Sequence, residues 1–243
     1  MLAYHNDIDI KIKYLTQVQA HAAADEIIKG KYWEHGKGCA VGCTIHGSDH
    51  AKYETELGIP RIIAKLEDAI FENLPNGEAK KFPGQFLDAI PVGADLSKIW
   101  PNFVIWMLAD EAAGVIRFVK TDEIRRSIET VVSLYQMQIS GKIVTEKNWR
   151  AAADAAAADA AAADAAADAA ADTYAAADAA AAVYAAAAAA AAADDAADAA
   201  DAAAVYAAAA AAAAVYAADA GGGVGARLAQ RDKLLELLRD AKQ

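Results

Sequence analysis

Cysteine is scarce in this chain of 243 residues, which contains only Cys39 and Cys43. Two cysteines so close in sequence cannot form the disulfide framework that stabilises small secreted domains. The first residues, Met-Leu-Ala-Tyr-His-Asn-Asp, lack the basic segment and the following apolar segment that mark a secretory signal peptide. We therefore expect a cytoplasmic protein with reduced thiols.

Apolar runs long enough to cross a bilayer are also missing. The longest stretches without aspartate in the alanine-rich part of the chain, residues 179–193 and 202–218, are shorter than the roughly 20 residues that a membrane helix needs. These stretches are mostly alanine, which contributes little to membrane insertion. The sequence therefore predicts no membrane partner.

Basic residues are too few to balance the acidic ones, with 23 Lys and Arg against 34 Asp and Glu. Residues 1–150 carry a net charge of −2 and residues 151–243 carry −9, so the acidity belongs to the C-terminal part. Binding to a phosphate backbone requires lysine and arginine. This charge distribution argues against nucleic acid as a partner.

Glycine, proline, lysine and arginine are absent from residues 151–220, which we call the alanine tract. Of its 70 residues, 51 are alanine and 11 are aspartate. Alanine has the highest intrinsic helix propensity, so the tract predicts one long helix or an antiparallel helical hairpin that folds back near Asp194 and Asp195. On a helical projection, most aspartates lie opposite an arc of about 120° that holds Tyr174, Tyr184, Tyr206 and Tyr216.

Composition divides the chain into three parts. Residues 1–150 contain all four tryptophans and all five prolines, and they are long enough to bury a core. We expect a globular domain there, an alanine-rich helical arm over residues 151–220, and a glycine hinge followed by a short amphipathic helix over residues 221–243.

Hydrophobic periodicity predicts that the first part is all-α. Helices are expected over residues 7–30, after Pro60, and from Thr121 or Asp122 to Gly141. The apolar run of residues 99–108 predicts a central core helix, and residues 114–119 predict a short extended piece. Several carboxylates are interpreted as lying on solvated helix faces: Asp25, Glu26, Glu67 and Asp68.

Residues 34–53 concentrate the side chains that carry chemistry. The spacing of Cys39, Cys43, His46 and His50 offers four zinc ligands. In one continuous helix residues 39 and 50 would lie about 16 Å apart, so wrapping a single ion requires a break in the helix. The alternative is a buried structural stripe in which the cysteines act as small apolar side chains.

A reactive thiol is a third interpretation of the same residues. Spacings of four and three residues would pair Cys39 with His35, or Cys43 with His46, as a thiol and its base. The sequence assigns no catalytic role to any other residue. His21 is interpreted as a helix-face residue that joins a site only if the first helix packs against residues 34–53.

Three short segments carry a family resemblance: Gly-Cys-Ala-Val-Gly-Cys-Thr-Ile-His-Gly at 38–47, Glu-Leu-Gly-Ile-Pro at 56–60, and Ala-Ile-Pro-Val-Gly-Ala-Asp-Leu at 89–96. In these segments the chain resembles an uncharacterised family of bacterial and phage proteins. Members of that family join a similar N-terminal part to a tail rich in alanine, aspartate and tyrosine. The resemblance covers most of the chain, implies no activity, and carries over no functional residue.

These observations leave two classes of function open. The leading hypothesis is a non-enzymatic interaction or accessory protein that presents the acidic alanine-rich arm to a protein partner or to a second copy. The alternative is a metal- or thiol-dependent enzyme, a hydrolase with zinc as cofactor, centred on Cys39, Cys43, His46 and His50.

Two further functions of the tail are disfavoured. DNA carries one charge per about 1.7 Å, whereas the 11 aspartates would spread over about 105 Å of helix, which argues against DNA mimicry. Alanine-rich ice-binding helices carry regularly spaced threonines, but the tract contains only Thr173.

Overall fold

The computed structural model of the protein describes residues 1–119, 121–156 and 224–242. The chain forms two compact units, one from Met1–Trp100 with Arg227–Gln243 and one from Pro101–Ala226. Residues 157–223 lie outside the described residues. The prediction of one long helix or an antiparallel hairpin for the alanine tract falls mostly on these residues. The three-part division at residues 150 and 220 stays a prediction.

The first unit is built from short helices and one small hairpin. A 3-10 helix, Ala3–Asn6, precedes helix α1 (Ile8–Ala23), strands β1 (Trp33–Glu34) and β2 (Lys37–Gly38), and helix α2 (Ala40–Ile45). Then follow α3 (Ala51–Leu57), α4 (Arg61–Asn73), α5 (Asn76–Ala79) and α6 (Phe82–Ala89). Helix α1 packs against α2 and α6, and α4 packs against α2, α3 and α6.

Strands β1 and β2 form an antiparallel pair in which Trp33 faces Gly38 and Glu34 faces Lys37. The two turn residues, His35 and Gly36, both have positive φ, as a tight hairpin turn requires. This pair is the one sheet among the described residues, so the prediction of a mainly α-helical protein is confirmed for that part of the chain.

Helix α1 ends earlier than the sequence predicts. Asp7 caps its start by accepting a hydrogen bond from the Asp9 backbone N–H at 2.8 Å. It ends at Ala23 rather than near Gly30 because Asp25 takes the left-handed conformation with φ 55°. The Glu26 N–H then donates to the His21 carbonyl at 2.9 Å, which closes the helix terminus.

Helix α7 (Ile99–Ala109) confirms the predicted apolar helix and belongs mainly to the second unit. A 3-10 helix, Val115–Phe118, follows where the sequence predicts an extended piece, so that prediction was wrong. Thr121 caps helix α8 (Asp122–Ile139) as expected, through the Ile124 N–H.

The start of the alanine tract is helical and belongs to the second unit. Residues 146–156 are helical, and the Asn148 N–H donates to Thr145 Oγ1 at 3.3 Å as an N-terminal cap. The Tyr135 ring of α8 lies 4.8 Å from the Trp149 ring. Aromatic packing therefore holds the first turns of this helix on α8.

The C-terminal helix, Val224–Arg239, contributes residues 227–239 to the first unit. It buries Leu234, Leu235 and Leu238, together with the polar Arg227 and Gln230, so the predicted amphipathic character of this segment stays a prediction. Arg231 forms an ion pair with Glu78 at 2.5 Å. Within residues 1–119, 121–156 and 224–242, no helix is both long enough and apolar enough to cross a membrane.

Candidate metal centre

The residues that follow the hairpin bring Cys39 to the start of α2. Cys39 caps the helix, and its sulfur accepts a hydrogen bond from the Gly42 N–H at 3.5 Å. Only glycine fits at position 42, because a Cβ at this position would lie 1.3 Å from the carbonyl oxygen of Tyr32. This close backbone approach presses the first turn of α2 against Tyr32 and fixes the position of the Cys39 thiol.

Cys43 lies one turn further along α2 in different surroundings. Its thiol donates to the Gly38 carbonyl oxygen at 3.3 Å, and its side chain is fully buried. Burial is the main cause that raises the pKa of Cys43 to about 12, so the thiol stays protonated. Cys43 acts here as a small buried side chain that satisfies a carbonyl group.

The two predicted histidine ligands lie beside different partners. His46 ends α2 in the left-handed conformation, and its Nε2 lies 2.9 Å from His21 Nε2. His50 precedes α3, and its Nε2 lies 3.4 Å from Asp68 Oδ2. Two of the four predicted ligands, Cys39 and His50, share the Asp68 carboxylate as a neighbour. The other two lie elsewhere: Cys43 contacts the Gly38 carbonyl and His46 contacts His21.

Among the described residues, one group of three ligand atoms meets the spacing of a metal site. The Cys39 sulfur and carboxylate oxygens of Asp68 and Glu72 all lie within 4.8 Å of one another. Asp68 and Glu72 are one helical turn apart on α4 and so project from the same face. Packing of α2 against α4 brings the thiol to that face.

Sequence reasoning missed the carboxylates of α4. Asp68 was expected on a solvated face, yet its side chain is only 16% exposed, and Glu67 beside it is fully buried. The spacing did contain a signal, because Glu67 follows Ile63 by four residues and precedes Ile70 by three. Those two residues are buried, so Glu67 lies on the same inward face.

The backbone around residue 30 orients Glu72. Both carboxylate oxygens accept from the Gly30 N–H at 3.0 Å. Gly30 has a φ of 77°, a left-handed conformation that glycine adopts without strain. Burial raises the pKa of Glu72, the Gly30 N–H lowers it, and the Asp68 carboxylate raises it again.

Electrostatics disfavour three negatively charged groups at this site. Burial and then the Asp68 carboxylate raise the pKa of the Cys39 thiol far above its ordinary value. The same two causes, in the same order, raise the pKa of Tyr32 to about 12. Two like charges about 4 Å apart repel by about 4 kcal/mol at an effective dielectric constant of 20. Protons or a bound cation must therefore neutralise the group.

Two atoms in this region have no hydrogen-bond partner among the described residues. They are His50 Nε2 and Asp68 Oδ1, both of them buried. The His50 side chain is only 10% exposed. A buried polar atom without a partner costs about 1–3 kcal/mol, so both atoms are available to a ligand that enters the site.

The thiol-and-base interpretation fits the geometry less well. His35 lies in the hairpin turn with 93% of its side chain exposed, while Cys39 is 1% exposed. A reactive thiol requires a positive neighbour that stabilises the thiolate. Cys39 instead lies beside carboxylates, which stabilise the protonated thiol or, in its place, a bound metal cation.

A scan against protein-family models, a search of curated proteins and a search of solved structures each found no match. The family resemblance of segments 38–47, 56–60 and 89–96 stays a prediction. Function is therefore inferred from the geometry of the described residues.

Proposed function

We propose that this protein is a zinc-binding accessory protein whose first unit holds the ion between the start of α2 and helix α4. Cys39, Asp68 and Glu72 supply three ligands, and His50 supplies the fourth. The mutual proximity of the first three ligand atoms carries this proposal. A thiolate, an imidazole and two carboxylates form a donor set typical of zinc rather than of magnesium or calcium.

The position of His50 supports its role as the fourth ligand. Across a tetrahedral zinc with bonds of about 2.0–2.1 Å, nitrogen and oxygen ligands lie about 3.3–3.4 Å apart. His50 Nε2 and Asp68 Oδ2 lie 3.4 Å apart, and this nitrogen forms no hydrogen bond to the described residues. His50 lies outside the group whose ligand atoms are all within 4.8 Å of one another, so its ring must move toward the ion to complete the four protein ligands of a structural zinc site.

The accessory role follows from this closed site. Cys39 is 1% exposed, so an ion bound to it has little contact with solvent. Zinc would tie the hairpin and α2 to α4 and so stabilise the first unit. Presentation of the alanine-rich arm to a protein partner or a second copy remains our proposal for the tract, and composition alone supports it.

Metal analysis of the full-length protein tests the zinc site. After chelation and dialysis, we expect calorimetry with Zn²⁺ to give one tightly bound ion per chain. Cys39→Ser and Glu72→Gln should each weaken binding about tenfold or more. Cys43→Ser is the matched control, because it removes a buried thiol four residues away. Equal zinc affinity in Cys39→Ser and the wild-type protein would overturn the assignment.

A metal-dependent hydrolase is the second candidate function. Three ligand atoms lie within 4.8 Å of one another. Catalytic zinc sites also have three protein ligands, which motivates this candidate. In that case His50 would not bind the ion, and a water molecule would take the fourth position. Zinc-dependent hydrolysis of p-nitrophenyl acetate that is lost in Asp68→Asn would favour this function over the accessory role.

Sedimentation of the full-length protein tests the arm. Self-association, or a complex with a protein partner, is the expected behaviour. A monomer that binds no partner would contradict the proposed role of the alanine tract, while leaving the zinc site unaffected.

A further inference from the structure

A second pair of ligand atoms lies on the other end of α2, away from the start of this helix where Cys39 lies. His21 comes from the last turn of α1, and His46 ends α2. Their Nε2 atoms face each other at 2.9 Å. Packing of α1 against α2 creates this pair, which the sequence shows only as two histidines 25 residues apart.

A carboxylate sets the tautomer of His21. Glu26 Oε2 lies 2.6 Å from His21 Nδ1, so this nitrogen carries the proton that the carboxylate accepts. The lone pair of neutral His21 then lies on Nε2 and points at His46. A carboxylate behind a histidine in this way is the outer-shell arrangement of metal-binding histidines, and it raises the basicity of the ligand nitrogen.

The 2.9 Å between the two nitrogens is the length of a hydrogen bond, which joins them in the metal-free protein. A small rotation of the two rings would bring both nitrogens to the distance of about 2.0–2.1 Å at which imidazole binds a shared transition-metal ion. From this proximity we propose that His21 and His46 form a binding site for a divalent transition metal that imidazole ligands suit, such as Ni²⁺ or Cu²⁺.

Binding requires one proton to move. In the metal-free pair, His46 Nε2–H donates to the lone pair of His21 Nε2. When the ion binds, this proton transfers to His46 Nδ1, so that both Nε2 lone pairs coordinate the metal.

The site is open to solvent on one side. His46 is exposed, while the His21 side chain is 14% exposed, so an ion can approach from solvent and keep water in its remaining positions. The Trp33 ring stacks on His46 with ring centroids 4.2 Å apart. Because Ni²⁺ quenches indole fluorescence at short range, Trp33 reports directly on occupancy of this site.

Titration of the full-length protein with NiCl₂ near pH 7.5 tests the proposal. We expect saturable quenching of tryptophan fluorescence with one Ni²⁺ per chain. His46→Asn should weaken Ni²⁺ binding about tenfold or more, and asparagine tolerates the left-handed conformation of this position. His21→Gln should have the same effect, and circular dichroism confirms that each variant is folded.

Three control variants separate this site from other sites on the chain. His35→Asn removes a highly exposed histidine of the neighbouring hairpin, tolerates the left-handed conformation of this position, and should leave Ni²⁺ affinity unchanged. Trp33→Phe should lose most of the quenching but keep the affinity measured by calorimetry. Cys39→Ser should retain the Ni²⁺ quenching, which shows independence from the proposed zinc site. Unchanged Ni²⁺ affinity in folded His46→Asn, or an equal loss in His35→Asn, would overturn the proposal.

Discussion

The phenol of Tyr53 donates a 2.8 Å hydrogen bond to Glu67 Oε2, and both side chains are completely buried. Tyr53 comes from α3 and Glu67 from α4, so this bond ties the two helices together behind the proposed zinc ligands. Burial is the main cause that raises the pKa of Glu67 well above its ordinary value, and Tyr53 partly offsets it. The buried site of Glu67 therefore favours the protonated, neutral form of its carboxyl group.

Replacement of Glu67 by glutamine should leave the metal-free protein as stable as the wild type or make it more stable at pH 8. The pKa of Glu67 is higher in the folded protein than its unfolded value of 4.5, so its contribution to the free energy of unfolding is complete below pH 4.5. That contribution is lost as the pH rises toward the pKa of the folded protein. Glutamine has no such titration. The stability difference in favour of Glu67→Gln should therefore grow from pH 5 to pH 8 in urea unfolding.

The control for this prediction is Tyr53→Phe, which removes the hydrogen-bond donor and should lower stability by about 1 kcal/mol or more. A Glu67→Gln protein that becomes less stable than wild type as pH rises would show that Glu67 is ionised in the folded state.

Replacement of Gly42 by alanine should destabilise the first unit by about 1–3 kcal/mol, the usual range for overpacking. The new Cβ would lie 1.3 Å from the Tyr32 carbonyl oxygen, so the backbone must move. This movement displaces Cys39, so zinc affinity should also fall. Chemical denaturation and zinc calorimetry measure the two effects.

Gly77 provides the matched control, because no atom lies within 4 Å of a Cβ built at this helical position. Gly77→Ala should be neutral or stabilising by about 0.4–1 kcal/mol. Equal stability of the two variants would contradict the close approach of α2 to Tyr32.

Both thiols should resist modification in the folded protein. A pKa near 12 for Cys43 leaves about a thousandfold less thiolate at pH 8 than the ordinary value of 9.0, and Cys39 is raised further. We expect Ellman's reagent to titrate two thiols rapidly in denaturant and to react far more slowly with native protein. Rapid reaction of one thiol in native protein would indicate an exposed, activated cysteine.

Truncation of Leu238 should show that the C-terminal helix is part of the first unit. Its side chain is fully buried, so Leu238→Ala should lower stability by about 2–5 kcal/mol. Asp240→Ala, an exposed position at the end of the same helix, should change stability by less than about 0.5 kcal/mol. If thermal unfolding finds the same stability for both variants, the helix does not stabilise the unit.

Local signals predicted much of the helical structure. The cap Thr121 and the apolar run at residues 99–108 act within one or two helical turns, so the sequence alone predicts them. The early end of α1 was missed because the left-handed conformation of Asp25 has no strong sequence marker. The extended piece predicted at residues 114–119 was wrong because a short apolar run does not distinguish a strand from a 3-10 turn.

The candidate sites depended on contacts that sequence spacing does not contain. Residues 34–53 concentrate cysteine and histidine, and their role as a site stays a prediction. The partners of these side chains, however, come from other helices: Asp68 and Glu72 from α4 for Cys39, and His21 from α1 for His46. Hydrophobic packing of α2 against α4 and α1 decides these partners, and periodicity says which face is apolar but not which helix covers it.

By itself, the sequence determined the mainly helical character, the acidity of the C-terminal part and the absence of a disulfide framework, because propensity, charge and cysteine number are properties of residues. Only the tertiary structure decided which thiol meets carboxylates and which histidines meet each other. Those pairs join residues 25–33 positions apart, and their proximity follows from how buried helix faces fit together rather than from any local pattern.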